Sequence, residues 1–273
     1  MTTSTSTSTS STPTATRATE PDRRLPALGG FSMGVLRIEL RRVLRNRRTL
    51  AFTLIMPAVF FLIFGLPQGG QSLDNGRPVT AYVMISLAVY AAMVATTSVG
   101  GAVATERALG WSRQLRLTPL RPTAYVATKL ITAMSLGLLA IVVEFAVGAA
   151  AGVRIPAYIW LVSGLAAWIG SLVFAAFGLF IGYLAPAENV MQIIGPVLAV
   201  LAMFGGLFVP VEVLPDVLQQ VAKFTPVYGV GVLARSTLVG EGLSMGAVAN
   251  VAVWALIFGV GAARLFRRDT ARV

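Results

Sequence analysis

Side chains with reactive chemistry are scarce in this chain. It has no Cys and no His, and its lysines are Lys129 and Lys223 alone. Disulfides, thiol nucleophiles, imidazole acid–base work and the usual zinc or haem ligands are thereby excluded. Neither lysine stands in a Gly-x-x-x-x-Gly-Lys-Ser/Thr phosphate loop, so the commonest cradle for ATP is missing and nucleotide energy must come from elsewhere. No paired carboxylates, Ser/Lys dyad or metal cluster stands at working spacing, which disfavours an intramembrane enzyme. No catalytic residue, metal ligand or resident cofactor is expected. Two features remain. One is the stretch Glu106 to Pro122, ERALGWSRQLRLTPLRP, in which Glu106, Arg107, Arg113, Arg116 and Arg121 interleave with Leu109, Trp111, Leu115, Leu117 and Leu120. Its chemistry is docking: an apolar edge seats in a groove while arginines meet carboxylates on the rim. A basic inner loop resting on lipid headgroups would use the same residues. The other feature is Glu144, a lone acid within an apolar run.

The elements that must position these residues follow from composition. The chain has 273 residues, 56% hydrophobic and 12% charged, with a mean hydropathy of +0.77. Soluble domains carry about 25% charged residues, so this is an all-α polytopic membrane protein, with length for about six spans of roughly 20 residues. The net charge is +11. With both termini inside, 18 of the 22 Lys and Arg fall on inner segments, and Arg77, Arg154, Lys223 and Arg235 are the outer four. That asymmetry is a positive-inside bias, so the basic excess reports topology and not a nucleic-acid partner.

Residues 1–30 are Ser/Thr-rich at their start and read as a disordered cytoplasmic tail. In residues 31–48, Met33, Leu36, Leu40, Val43 and Leu44 fall on one helical stripe beside Arg37, Arg41, Arg45 and Arg48. That predicts an interfacial helix with its apolar face in the acyl boundary and its arginines among headgroups. Spans are predicted at 49–66 (kinked at Pro57), 79–103, 123–152, 159–184, 190–208 and 245–266, forming a permease domain over 49–268 with a tail at 269–273. Lys129, near the start of the third span, is expected to snorkel to the inner interface. Between the fifth and last spans, Pro210, Pro215 and Pro226 cut an apolar stretch into pieces of re-entrant or interfacial length. Pro215-Asp216 reads as a helix start. The 106–122 stretch has room for three helical turns from Thr105 to Leu117, stopped by Thr118-Pro119.

Glu144 lies 15 residues beyond Lys129, about 22 Å along a helix axis, in the outer half of the bilayer core. An ionisable group there is either a substrate- or proton-linked carboxylate facing a cavity or a neutral acid hydrogen-bonded at a helix interface. Phe60, Phe61, Phe64, Phe145, Phe174, Phe177, Phe180 and Phe204 could line a hydrophobic path or simply pack.

Several of these signals coincide in one family. The chain resembles the type-2 ATP-binding-cassette (ABC) permeases, in the drug-resistance exporter branch of the daunorubicin permease. The motifs that carry the resemblance are Glu106-Arg107, the close Leu115-Arg116-Leu117-Thr118-Pro119-Leu120, and Gly205-Gly206, Pro210, Leu214-Pro215, Pro226, Arg235 and Gly240. It covers about residues 31–268. The resemblance implies a coupling helix in the loop after the second span, seated on a separate ATPase subunit that binds ATP and Mg. Glu106, Arg107, Leu109, Trp111, Arg113, Leu115, Arg116, Thr118 and Pro119 are then the expected coupling surface. It further implies re-entrant helices before the last span, two permeases pairing with two ATPases in the cell membrane, and efflux of an amphiphilic drug or lipid. Lipid-linked polysaccharide export, or proton-coupled secondary transport through Glu144, are the alternatives.

Overall fold

The computed structural model describes residues 32–110 and 122–271. Every long element among the described residues is a helix, and no strand occurs there beyond one isolated bridge between Ser72 and Pro78. Helix α1 runs Met33–Arg45, opened by Ser32, whose Oγ accepts the Gly34 N–H at 3.2 Å. Its half-buried residues are Leu36, Glu39, Leu40 and Val43, the i, i+3, i+4, i+7 stripe of one helix face. That stripe rests on the protein, with Val43 packed against the buried cluster that the helices Val79–Ala108 and Pro122–Ala150 share. The predicted burial of this whole apolar face in the acyl boundary is therefore corrected: Glu39 sits within the stripe and draws it to a buried cation. Met33, Ile38 and Leu44 stay exposed.

Six helices are long and apolar enough to cross a membrane: Ala51–Gln68, Val79–Ala108, Thr123–Ala150, Ala157–Leu184, Ala187–Phe204 and Met245–Asp269. The first of them, α2 (Ala51–Gln68), takes up Pro57 by widening its turns. Stretches of π-helix at Ala51–Ile55 and Phe61–Gly65 flank one α-helical turn at Met56–Phe60. A proline lacks the N–H and its ring strikes the carbonyl four residues back, and a wider turn relieves both.

Helix α3 (Val79–Ala108) is the axis of the molecule, buried along most of its length and packed by α2 and by most of the later helices. It runs to Ala108, past the predicted end at 103, so Glu106 is helical. Small residues let neighbours approach closely. Against the helix Leu172–Leu184, a Cβ on Gly100 would lie 2.5 Å from the Leu179 nitrogen, and Thr97 Oγ1 donates to the Phe174 carbonyl at 3.2 Å. Helix α4 spans Pro122–Ala150. The fourth crossing is two helices, α5 (Ala157–Gly170) and α6 (Leu172–Leu184), joined at Ser171, whose Oγ donates to the Trp168 carbonyl at 2.6 Å. Helix α7 (Ala187–Phe204) stops four residues before the predicted 208, because the chain turns at Gly205 and at Gly206, where φ is 84°.

The proline-broken segment becomes a short 3-10 turn (Val211–Val213), α8 (Asp216–Lys223) and α9 (Pro226–Val239). Helix α10 (Met245–Ala271) follows. The α8–α9 turn is tied to α10 by Asn250 Nδ2 donating to the Lys223 carbonyl at 2.9 Å and Trp254 Nε1 donating to the Phe224 carbonyl at 2.8 Å. Trp254 stands nine residues into α10, about 14 Å along its axis. The turn therefore lies within the depth of the bundle, and α9 climbs back to Gly240, which is left-handed at φ 87°. This is the expected re-entrant pair. Helix α10 reaches Ala271 and includes Asp269, which was expected in a tail.

Candidate functional site

Two consecutive residues in the last turn of α3 gather one end of the bundle. Glu106 is 5% exposed. Its Oε1 accepts from Lys129 Nζ and Arg42 Nη2, and its Oε2 accepts the Tyr125 hydroxyl at 2.5 Å. Glu39 Oε1 accepts from the same two cations, at 2.5 Å from Lys129 and 3.1 Å from Arg42. Two acids, two bases and a phenol from α1, α3 and α4 thus form one network. A buried charge is tolerable only when paired and hydrogen-bonded, and here each acid meets two cations. Lys129 is 2% exposed, so it does not snorkel as expected: its ammonium bridges Glu39 and Glu106 inside the protein. Burial opposes the charge on Arg42, but its hydrogen bond to Glu106 and the negative charge of both acids outweigh that and raise its pKa above the ordinary value.

Arg107 projects about 100° around the helix from Glu106 and reaches the opposite side. Its Nε and Nη2 grip Asp269 of α10 at 3.1 and 2.7 Å, while Nη1 donates to the carbonyls of Gly182 and Tyr183, both at 3.1 Å. Those carbonyls are at the C-terminus of α6, where a cation is favoured. Immediately beyond, Leu109 is exposed and Gly110 is left-handed at φ 74°, the geometry that ends a helix. The predicted helix from Thr105 to Leu117 is corrected in its first turn: Thr105 to Ala108 complete α3, and the chain turns at Gly110. Trp111, Arg113, Leu115, Arg116, Thr118 and Pro119 lie outside the described residues.

Sequence reasoning placed Glu106 and Arg107 on a docking surface and missed Glu39, Arg42, Tyr125 and Asp269. One signal was available. Glu39 is an acid in the middle of the apolar stripe Leu36, Leu40, Val43, and an acid on an inward face requires a buried cation.

At the other end of the bundle, the loop between α2 and α3 caps α9. Arg77 Nη1 donates to the Thr237 carbonyl and to that of Leu238 at 2.6 Å, and Nη2 to the Tyr158 hydroxyl at 3.1 Å. Asn75 Nδ2 donates to Leu238 and Val239 carbonyls at 2.8 and 2.6 Å. Arg235, 5% exposed, donates from Nη1 to Ser86 Oγ at 3.0 Å and the Gly206 carbonyl at 3.1 Å, and its guanidinium lies 4.6 Å from the Tyr82 ring centre. The other residues singled out in this segment are structural. Gly205 admits Val227, where a Cβ would come within 2.6 Å. Pro210 and Pro215 precede the 3-10 turn and α8, Leu214 joins these two elements, and Pro226 opens α9.

Between α2, α3 and the end of α7 lies a cavity of about 480 Å3, lined by Phe60, Phe64, Val83, Leu87, Met203, Leu207, Phe208 and Val209. Phe64 and Met203 are exposed, so the cavity opens onto the flank of the bundle. Of the eight phenylalanines considered from sequence, only Phe60 and Phe64 line it. Phe145 packs on Trp160, Phe177 and Phe180 on Phe258, and Phe61 and Phe174 are fully buried. Glu144 does not line it either. It is 1% exposed and packed, and among the described residues neither carboxyl oxygen has a hydrogen-bond partner. This departs from both sequence readings, a cavity-facing carboxylate and a hydrogen-bonded acid.

The family model of the ABC-2 type transporter matches residues 33–239, from the first residue of α1 to the last of α9. A Bacillus subtilis (strain 168) protein named "Putative transport permease YvfS" is 31% identical over 195 residues, covering 71% of this chain and 79% of that protein. With six membrane-crossing helices, a re-entrant pair and these matches, the chain is a multi-pass transmembrane permease and belongs to the ABC-2 type transporter family.

Proposed function

We propose that this chain is the membrane subunit of an exporter driven by a separate cytoplasmic ATPase, which supplies ATP and Mg chemistry that the permease lacks. The ATPase docks on the loop that leaves α3 at Gly110. The observation that carries this reading is the double clamp at the loop's root. Glu106 ties it to α1 and α4, and Arg107 ties it to α6 and α10. A push on the loop is thereby delivered to four elements at once. The lysine and arginine asymmetry supports a cytoplasmic position for this end and for both termini.

The cargo is an amphiphilic, drug-like or lipid molecule leaving the cytoplasm or inner leaflet. The cavity supports this, because its lining side chains are apolar throughout and offer no donors or acceptors to sugar hydroxyls, which weighs against a polysaccharide. The exposed apolar faces of α2 (Phe52, Ile55, Val59, Ile63) and α7 (Met191, Val200, Met203) suit a second copy of the permease, with lipid around the pair.

Co-purification of a cytoplasmic cassette ATPase with this chain, followed by substrate-stimulated hydrolysis in lipid, tests the proposal. Replacing Trp111, Arg113, Leu115 and Arg116 together is expected to abolish stimulation while the permease still inserts. Full stimulation and complex formation by that variant would refute the docking assignment.

A further inference from the structure

Glu144 takes no part in the clamp, the cavity or the re-entrant segment, yet it is among the largest fully buried side chains. It stands six residues from the end of α4, about 9 Å from the end away from the clamp. The stripe Ala133, Leu136, Ala140 packs against Ala91, Ala95 and Val99 of α3, and Glu144 continues that stripe one turn further. Gly137 and Gly148 bracket it, with positions for a Cβ that would run into Thr96 and Met84 of α3. The backbones of α3 and α4 are thus pressed together around the carboxyl.

Among the described residues, no charged or titratable group faces it. Helix α2 carries none along Ala51–Gln68. On α3, Tyr82 lies beneath Arg235, Tyr90 packs at a tilt on Phe208, and Glu106 and Arg107 belong to the clamp. On α5 and α6, Tyr158 bonds Arg77 and Tyr183 packs on Phe266. On α4 itself, Tyr125 and Lys129 are engaged with Glu106, and Glu39 and Arg42 of α1 belong to the same clamp. Arg154, just past α4, turns to the Ala149 and Val153 carbonyls. An ionised carboxylate in such a place would have neither counter-ion nor hydrogen bond, which a low-dielectric interior does not tolerate.

The seam around Glu144 can part without breaking a hydrogen bond between described residues of α3 and α4. Below it, Lys129 and Tyr125 lock α4 to α3 through Glu106. Beyond Met134, no hydrogen bond or ion pair between described residues joins α4 to α3, and the contact is apolar packing alone. We infer that Glu144 is a proton-binding site. It holds a proton while α3 and α4 are packed as here. It releases that proton to water, leaving a hydrated carboxylate, when the far half of α4 parts from α3 during transport. The chemical step is the ionisation of one carboxylic acid and needs no other reactant.

The test has two arms, and the first needs no ATPase. Purified permease in phosphatidylcholine vesicles is treated with dicyclohexylcarbodiimide, a lipid-soluble reagent that adds only to protonated carboxyls, and the peptide containing Glu144 is read by mass. Labelling is expected near neutral pH, falling about tenfold per pH unit above the group's own pKa, and absent in Glu144→Gln. No labelling anywhere between about pH 5 and pH 10, or labelling indifferent to pH, would overturn the site. In the second arm, ATP-driven transport is followed across the same range. The wild type is expected to show a pH step where labelling falls, and Glu144→Gln to lack it. Superimposable profiles would mean that the proton is held but never exchanged, and would overturn the inference as well.

Discussion

Lys129→Met is the sharpest perturbation of the clamp. The lysine side chain is 3% exposed, against 7% for Glu106 and 14% for Glu39, and its ammonium touches both carboxylates. Removing one partner from a buried charge pair costs about 3–5 kcal/mol, because the remaining charge is left uncompensated. Arg42 stays in place, and its side chain is 48% exposed and contacts both acids, so the lower figure of about 3 kcal/mol applies. That corresponds to roughly 150-fold in an equilibrium constant. The loss falls on the docking of α1, since Glu39 is its polar anchor. Hydrogen exchange of purified protein in lipid nanodiscs reads this directly, and protection across residues 33–45 should fall by up to that factor. The triple change Lys129→Met, Glu39→Gln, Glu106→Gln should restore much of the protection, because its buried members are then neutral and the remaining charge, on Arg42, is half exposed to solvent. Unchanged protection in the single variant, or a triple variant worse than the single, would refute the claim that paired charge holds α1 to the bundle.

Three further outcomes follow from contacts elsewhere. Gly178→Ala places a Cβ 2.5 Å from the Thr97 carbonyl oxygen and 2.9 Å from its Cα. Because the obstacle is backbone, about 1–3 kcal/mol should be lost, seen as a lower thermal midpoint in detergent, while Gly246→Ala, with only Ser244 Oγ nearby at 3.9 Å, should be neutral. Arg107→Lys keeps the charge but not the fork that serves Asp269 and two carbonyls together, and should cost about 1–2 kcal/mol. A double-mutant cycle with Asp269→Asn, read by thermal unfolding, should show coupling above about 0.5 kcal/mol. Asn75→Ala removes two bonds to the end of α9 and the one that accepts the Arg77 N–H, but leaves the Arg77 guanidinium on α9, so about 1 kcal/mol should be lost, localised by hydrogen exchange to the last turn of α9.

Spans were legible because apolar length is decisive in lipid: all six lie close to their predicted places, with no end displaced by more than five residues. The displaced ends have local causes. The second helix continues because Thr105 to Ala108 contain no breaker before Gly110, and the fifth stops early because two glycines follow Phe204. The re-entrant pair was readable from Pro210, Pro215 and Pro226, which fix where helices start. The clamp was not. Its members are separated by as many as 162 residues, and no periodicity pairs Arg107 with Asp269. Arginines near a membrane boundary also have a sufficient topological explanation, which hides those with specific partners. Glu144 was visible as an anomaly in the sequence, but its lack of any partner is a fact of packing.

The adjacency of Glu106 and Arg107 has a mechanical consequence under the proposed coupling. Had both residues pointed the same way, a displaced loop would drag only one neighbour and the bundle would tilt as a body. Successive residues on a helix diverge by about 100°, so the same displacement acts on α1 and α4 through Glu106 and on α6 and α10 through Arg107. The two attachments also differ in kind. The Glu106 side is buried and branched over three cations and donors, whereas the Arg107 pair with Asp269 is about a quarter exposed on each partner. Pairs of the second kind are weaker and screened by salt. Under load, α10 should therefore yield before α1 and α4, and raising the ionic strength should loosen the Arg107 side first while leaving exchange across α1 unchanged.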